Sequence, residues 1–256
     1  MQEKELRVET ADGTMRVFTV HPDGPGPFPV AVLYMDGVGY REQIKANARR
    51  FASGGFYVVA PDLYYRAGEL SFDPALLVGS NPDPATRDRM MQAARSVIPD
   101  RAIDDTGAAL NAIADDDAAA TKDPIVCAGY CMGARIALHA ASAMPGDVIA
   151  AAGIHPGSLV TDSADSPHHD LKHVRGELYF AFAEVDRTAT PESVEAFRHE
   201  MEAQGITGEV ERIPGATHGF AMADLPVYDE GAAERHFAKV LELWERNVRR
   251  RAAAPA

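Results

Sequence analysis

The pentapeptide Gly129-Tyr130-Cys131-Met132-Gly133 has the form glycine-x-nucleophile-x-glycine. In a tight strand-to-helix turn, this pattern holds the central side chain in an exposed, strained position. The flanking glycines are required because a β-carbon at either position would clash with the neighbouring strand or helix. A thiol is a good nucleophile, and a nearby imidazole or helix N-terminus favours its thiolate. The pattern therefore predicts acyl chemistry on Cys131, whereas Cys127, inside the preceding strand, is predicted to be structural.

An acidic residue and a histidine base are expected later in the chain, each in a loop that follows a strand. Asp186 follows the predicted strand 178–183, and His218 follows the predicted strand 210–213. The carboxyl ends of parallel strands meet at one edge of a sheet, where sites of this kind form. The chain order nucleophile, acid, base is that of α/β-hydrolases. Glu184 is the weaker alternative acid, because it would leave the end of its strand in another direction.

The elements that must position these residues alternate between strands and helices. A hairpin is predicted for residues 5–20 with its turn at Asp12-Gly13, and buried strands are predicted for residues 30–34, 57–60, 125–128, 148–154, 177–183 and 209–213. This order predicts a single α/β domain over residues 1–256, with a mostly parallel central sheet and helices on both faces. Residues 63–96, with several prolines, are predicted to be an irregular lid or pocket wall. Residues 249–256 are expected to form a frayed tail.

Five segments of the chain resemble the dienelactone hydrolase family of α/β-hydrolases. They are MDGVG (35–39), VVAPDLYYR (58–66), GYCMGAR (129–135), AEVD ending at Asp186, and GATHGF (215–220). The resemblance covers nearly the whole chain from the first parallel strand to the final helix. It implies an enzyme that hydrolyses a lactone or ester and needs no metal or organic cofactor. Carried over residue by residue, it makes Cys131 the nucleophile, Asp186 the orienting acid and His218 the base.

The loop after the first parallel strand is expected to take part in this chemistry. An oxyanion needs hydrogen-bond donors, which are predicted to be the backbone N–H groups of Met132 and Gly37. The family carries a glutamate in this loop that takes part in activating the thiol, and the shorter Asp36 occupies the corresponding position here. A carboxylate beside a thiol can accept its proton or, when ionised, disfavour the thiolate. A direct role for Asp36 therefore stays open.

The residues that would bind substrate depart from the family pattern. The resemblance implies that the carboxylate of the small dienelactone substrate is held by arginines. In the family, one of these arginines lies a few residues beyond the catalytic histidine. No arginine follows His218 in the segment 218–222, and Arg87 or Arg89 could supply a cation instead. Whether dienelactone itself is accepted therefore stays open, and a larger or less charged ester or lactone becomes a candidate substrate. Four further residues are candidates for lining the pocket: Tyr64, Tyr130, His155 and Phe220.

Composition limits which binding partners and which cellular compartment are expected. The formal charge of −13 argues against binding to nucleic acid or an anionic membrane. No apolar run is long enough to span a bilayer, and the two cysteines are poorly placed for a mutual disulfide, so a cytoplasmic protein is expected. His168, His169 and His173 lie in a polar loop without the spacing of a metal site, so no metal is predicted. A monomer or homodimer acting on a small molecule is expected.

Four rival functions remain open from the sequence. A general carboxylesterase, a thioesterase or an acyltransferase could use the same three residues on another substrate or acceptor. A protein of another class, a non-catalytic ligand or redox sensor, could use Cys131 without acyl turnover. Fold alone does not decide among them.

Overall fold

One eight-stranded sheet forms the centre of the molecule. The computed structural model describes residues 1–70, 72–78 and 82–253. The strands are β1 (Gln2–Thr10), β2 (Gly13–His21), β3 (Val30–Tyr34), β4 (Tyr57–Pro61), β5 (Ile125–Tyr130), β6 (Val148–Ile154), β7 (Glu177–Val185) and β8 (Gly208–Thr217). Their order in space is β1-β2-β4-β3-β5-β6-β7-β8. β1, β2 and β4 pair antiparallel and the other neighbours pair parallel, which confirms the predicted mostly parallel sheet.

Helices cover the sheet on both faces, as predicted. They are α1 (Glu42–Ala52), α2 (Pro74–Leu77), α3 (Pro84–Ser96), α4 (Pro99–Ala112), α5 (Met132–Ala143), α6 (Pro191–Ala203) and α7 (Glu230–Ala253). Every residue of β3, β4 and β5 is buried. Because successive side chains of a strand point to opposite faces, continuous burial requires cover on both sides. None of these helices, nor any other in the described part of the chain, is long and apolar enough to cross a membrane.

An aromatic cluster joins α1 and α7 to the sheet. The indole of Trp244 on α7 is fully buried, and its ring centroid lies 4.8 Å from that of Phe51 and 5.1 Å from that of Phe56. The indole N–H donates to the backbone oxygen of Cys127, 3.3 Å away. Cys127 itself is a free, buried thiol, and burial raises its pKa. These contacts agree with the structural role predicted for Cys127.

The segment 63–96 is more regular than predicted. It contains the short helix α2 and the longer helix α3, each with a proline in its first turn and an aspartate as N-cap. The carboxylate of Asp73 accepts from the N–H of Ala75, and that of Asp83 accepts from the N–H of Thr86. The Asp-Pro pairs are a helix-start signal, because proline at the first helical position loses no hydrogen bond. The prediction of an irregular segment was wrong there; residues 71 and 79–81 lie outside the described residues.

The predicted frayed tail is also partly wrong. Helix α7 continues to Ala253, so residues 249–253 are helical. Arg249 pairs with Glu245 one turn earlier at 2.9 Å, and Arg250 reaches Glu177 on β7 at 3.0 Å. Basic residues in the last turn also interact favourably with the negative end of the helix dipole. Residues 254–256 lie outside the described part of the chain.

Candidate active site

The turn between β5 and α5 has the strained geometry that the two glycines predict. Cys131 has φ 51° and ψ −111°, and positive φ is unfavourable for a residue with a β-carbon. Its N–H donates to the oxygen of Ile154 at 3.0 Å. A β-carbon on Gly129 would lie 1.9 Å from the carbonyl oxygen of Gly133, and one on Gly133 would lie 2.5 Å from that of Met35. The close approach of backbone to backbone therefore requires glycine at both positions.

The three predicted residues form one hydrogen-bonded series. Nε2 of His218 lies 3.0 Å from Sγ of Cys131, and Nδ1 of His218 lies 2.5 Å from Oδ2 of Asp186. Cys131, Asp186 and His218 directly follow the ends of β5, β7 and β8, so the parallel sheet brings their loops to one edge. Glu184, the alternative acid, instead accepts from the N–H of Gly215 at 2.8 Å. The fold therefore assembles the arrangement expected from the chain order.

Thr188 holds the second oxygen of Asp186 and was missed in the sequence. Its N–H and its hydroxyl donate to Oδ1 of Asp186 at 2.8 and 2.7 Å. Asp186 is thus bonded through one oxygen to the loop that it begins and through the other to His218. An aspartate followed two residues later by threonine is typical of a side-chain-capped turn, and this spacing is a signal that could have identified Thr188.

The charges around His218 favour its protonated form. Burial lowers the pKa of His218, but the Cys131 sulfur and the Asp186 carboxylate outweigh it and raise that pKa well above its ordinary value. Burial raises the pKa of Asp186, but hydrogen bonds from His218 and Thr188 bring it below its ordinary value. The Asp186 side chain is 3% exposed, whereas that of His218 is 32% exposed. The imidazole is therefore accessible while its acidic partner is shielded.

The two residues predicted to supply oxyanion-hole N–H groups, Met132 and Gly37, both contact the buried side chain of Tyr64. Met132 is the first residue of α5, where backbone N–H groups lack an intrahelical acceptor. Gly37 lies in the loop after β3, and its carbonyl oxygen accepts from the hydroxyl of Tyr64 at 2.8 Å. The same hydroxyl lies 4.0 Å from Sδ of Met132. One side chain therefore contacts both residues whose N–H groups are candidates for the oxyanion hole.

Asp36 is occupied by partners other than the thiol. Its carboxylate accepts from both Nη atoms of Arg41, at 2.6 and 3.0 Å, and from the N–H groups of Val38 and Gly39. Arg41 also donates to Asp224, in the loop beyond His218, at 2.6 Å. Within residues 1–70, 72–78 and 82–253, Asp36 makes no hydrogen bond to Cys131. The contact with the thiol that the sequence left open is not formed, because the guanidinium of Arg41 pairs with the carboxylate and holds it in the loop.

The predicted pocket-lining residues are inside the protein. Tyr64, Tyr130, His155 and Phe220 are each at most 1% exposed. The hydroxyl of Tyr130 lies 3.1 Å from Nε2 of His236, and the ring of His155 packs edge-on against His218 with centroids 5.2 Å apart. These four side chains support the site from behind and offer no surface to a substrate. The expectation of substrate contact for them is therefore corrected.

The wall beside Gly37 comes from α3 and is apolar. A β-carbon on Gly37 would lie 3.8 Å from Cβ of Ala94 and 3.8 Å from Sδ of Met90. Arg87 and Arg89, the candidate cations of the sequence, are exposed side chains on the same helix. Neither is bonded to any residue of the Cys131 series. Helix α3 thus presents a thioether and a methyl group, not a guanidinium, to the loop after β3.

The other histidines form no metal centre in the described ranges. His168 and His169 lie in a 3-10 turn (Pro167–His173), where His168 bonds to the hydroxyl of Ser166 and His169 to the oxygen of Ala164. Among the residues that the structure describes, no group of three histidine, cysteine, aspartate or glutamate side chains is arranged to hold a metal ion.

Known proteins resemble this chain along nearly its whole length. The family model described as "Dienelactone hydrolase family" matches residues 15–248. A protein of Escherichia coli (strain K12) named "Putative carboxymethylenebutenolidase" is 26% identical over 229 residues, which cover 85% of this chain and 76% of that one. A protein of the same name from Methylorubrum extorquens is 25% identical over 247 residues, covering 94% and 80% of the two chains.

Solved structures show the same architecture. The crystal structure of a "Putative Dienelactone Hydrolase" from Klebsiella pneumoniae superposes on this chain with a TM-score of 0.81 at 20% identity. The superposition covers 95% of this chain and 98% of the other. At that identity the likeness shows the fold alone, whereas the family model spans most of the chain. The chain therefore belongs to the dienelactone hydrolase family, is a hydrolase of that type and has the α/β-hydrolase fold.

Proposed function

We propose that this protein hydrolyses a lactone or carboxylic ester through a thioester formed on Cys131. The observation that carries the proposal is the hydrogen-bonded series from Sγ of Cys131 through His218 to Asp186, at 3.0 and 2.5 Å. Membership of a hydrolase family supports the reaction class. A nucleophile bonded to a base, which is bonded in turn to an orienting acid, is the arrangement that nucleophilic acyl transfer needs.

The first half of the reaction forms the acyl-enzyme. The Cys131 thiolate attacks the substrate carbonyl carbon and forms a C–S bond while the carbonyl electron pair moves to oxygen. The N–H groups of Met132 and Gly37 donate to that oxyanion. When the tetrahedral intermediate collapses, the C–O bond breaks and His218 gives its proton to the leaving oxygen. An alcohol, or the opened hydroxyl end of a lactone, results.

The second half releases the acid. His218, now neutral, accepts a proton from water as the water oxygen attacks the thioester carbonyl. The second tetrahedral intermediate collapses with breakage of the C–S bond, which regenerates the thiolate and the imidazolium. Asp186 holds the tautomer and orientation of His218 throughout and stabilises its charged form. The net reaction consumes one water and one ester bond and needs no other reactant.

The surroundings of the site favour an acyl group without a charge. Met90 and Ala94 lie beside Gly37, and Met132, which follows the nucleophile, also has an apolar side chain. Arg41, the guanidinium in this loop, is already paired with Asp36 and Asp224. A carboxylate on the substrate is best held by a free, bidentate guanidinium. We therefore expect neutral esters and lactones to be hydrolysed faster than the carboxylated dienelactones.

Steady-state hydrolysis of a small substrate panel tests the proposal. The panel contains cis- and trans-dienelactone, short-chain aryl esters and a neutral lactone, with Cys131→Ala as the nucleophile variant. Cys127→Ala is the matched control, because it removes a buried thiol four residues away that bonds only to a backbone oxygen. We expect aryl-ester turnover in the parent and in Cys127→Ala, and none above background in Cys131→Ala.

The remaining outcomes separate the rivals. Turnover that survives in Cys131→Ala would remove Cys131 from the mechanism. Rapid dienelactone hydrolysis with slow ester hydrolysis would keep the mechanism and refute the preference for neutral substrates. Transfer of the acyl group to an added alcohol or amine in preference to water would indicate an acyltransferase. Binding or thiol oxidation without turnover of any substrate would indicate the non-catalytic sensor.

A further inference from the structure

The peptide that joins Gly37 to Val38 is held at both of its ends. Its carbonyl oxygen accepts from the Tyr64 hydroxyl at 2.8 Å, and its N–H, on Val38, donates to Oδ1 of Asp36 at 3.1 Å. The next N–H, on Gly39, donates to the same oxygen at 3.3 Å. Rotation of this peptide would break both of the first two bonds. The peptide is therefore fixed by one residue outside the loop, Tyr64, and by one residue within it, Asp36.

The preceding N–H, on Gly37, is different because none of the described residues accepts from it. It belongs to the peptide next to the one that Tyr64 and Asp36 hold, so its direction depends on the orientation of that neighbour. Glycine has no β-carbon to restrict its dihedrals, so the restraint must come from bonds to its peptides. A donor that stabilises an oxyanion contributes only if it is already aimed when charge develops.

Tyr64 is itself rigid. Its side chain is buried, and its backbone N–H donates to Oδ1 of Asp62 at 3.0 Å. Asp62 is fixed in turn by two bonds from Arg16, at 2.7 and 3.0 Å. On the other side of the ring, a β-carbon on Gly39 would come within 3.1 Å of it. The phenol is thus clamped between the end of β4 and the loop that it supports.

We propose that Tyr64 is a positioning residue for the oxyanion hole, acting through the Gly37 carbonyl and the Met132 side chain. The inference rests on the proposed function, since an oxyanion forms only if the enzyme transfers an acyl group. It assigns Tyr64 no contact with substrate, in keeping with its burial. Its hydroxyl keeps the Gly37 N–H aimed while leaving the Cys131–His218 pair untouched.

The test is Tyr64→Phe, with Tyr57→Phe as the matched control. Tyr57 is also buried and also loses one hydroxyl bond, to Asp116, but it begins β4 at the opposite end of the strand. Two rates are measured on each protein: aryl-ester hydrolysis, which passes through an oxyanion, and alkylation of Cys131 by iodoacetamide, which does not. In Tyr64→Phe we expect kcat to fall roughly 10- to 100-fold with little change in KM and in the alkylation rate.

Each outcome of this comparison either supports or overturns the role proposed for Tyr64. Equal kcat in Tyr64→Phe and the parent would overturn the proposal, as would equal losses of kcat and alkylation rate, which indicate general disruption. If Tyr64→Phe does not fold, 4-fluorophenylalanine at position 64 fills the same space without a donor and repeats the comparison. Rescue by 4-aminophenylalanine, which donates, supports the role. Absence of ester turnover in the parent would instead refute the proposed function, so the two failures are distinguishable.

Discussion

The sharpest prediction concerns the elbow glycines, Gly129 and Gly133 of the sharp turn (the elbow) between β5 and α5, and Gly129→Ala tests it. Gly129 is the penultimate residue of β5, which leads into Cys131, and the first turn of α5 occupies the space that a β-carbon on Gly129 would need. An added β-carbon would lie 1.9 Å from the carbonyl oxygen of Gly133 and 2.1 Å from its carbonyl carbon. Both are backbone atoms, so no side-chain rotation relieves the contact.

The size of the effect follows from these distances. Real β-carbons essentially never approach a heavy atom closer than 3.0 Å, so α5 must move from β5 by about 1 Å or more. Overpacking of this kind costs about 1–3 kcal/mol, which lowers the melting temperature of a chain this long by about 3–10 °C. Cys131 lies between the two elements, and a 1 Å misplacement of a reacting group costs about 100-fold in rate.

The assay compares aryl-ester kcat/KM and thermal unfolding in Gly129→Ala and Gly107→Ala. Gly107 lies inside α4, and a β-carbon there would meet nothing within 4 Å, so alanine should leave activity unchanged and stabilise the helix by up to about 1 kcal/mol. We expect kcat/KM to fall at least about 100-fold in Gly129→Ala alone. Parental stability and activity in that variant would refute the packing argument for the elbow.

Three further predictions concern charge. Asp186→Asn should lower ester turnover by up to about 10,000-fold and, because the pKa of His218 then falls, should move the basic limb of the pH–rate profile to lower pH. His139→Gln should destabilise the protein below about pH 6.5 but not near pH 9. Hydrogen bonding to Asp170 raises the pKa of His139, so the stabilisation that the protonated imidazole contributes disappears as pH rises through that pKa. Urea unfolding at both pH values measures the difference in stability. Burial raises the pKa of Glu177, but hydrogen bonds from Arg246 and Asn247 outweigh it and bring that pKa below its ordinary value. Glu177→Gln should therefore be less stable than the parent at pH 7. In unfolding titrations toward acid pH, the stabilities of the two proteins should converge as Glu177 of the parent is protonated.

Local sequence signals predicted the elements that are defined by short-range physics. The elbow glycines, the continuous apolar strands and the positions of Asp186 and His218 after their strands each follow from neighbouring residues. The helices within 63–96 carry such a signal too, since Asp73-Pro74 and Asp83-Pro84 are N-cap pairs, although the density of prolines there is also typical of irregular structure.

Contacts between distant segments could not be predicted in this way. Arg41 bonds both to Asp36 and to Asp224, which lies 183 residues after Arg41, and nothing in the local pattern indicates such a bridge. The burial of Tyr64 likewise depends on which loop packs over β4 once the sheet has formed. These contacts hold Asp36 and Tyr64 against the loop after β3, a placement that residue type alone does not predict.

The central claim, that acyl transfer passes through Cys131, is tested most directly by trapping the intermediate. The enzyme is mixed with excess p-nitrophenyl acetate, quenched in acid within the first turnovers and digested, and the peptides are analysed by mass spectrometry. We expect an acetyl thioester on the peptide that contains Cys131, lost with time at the rate of turnover, and none in Cys131→Ala. Turnover without any acyl group on Cys131, or an adduct on another residue that forms and decays at the catalytic rate, would contradict the account.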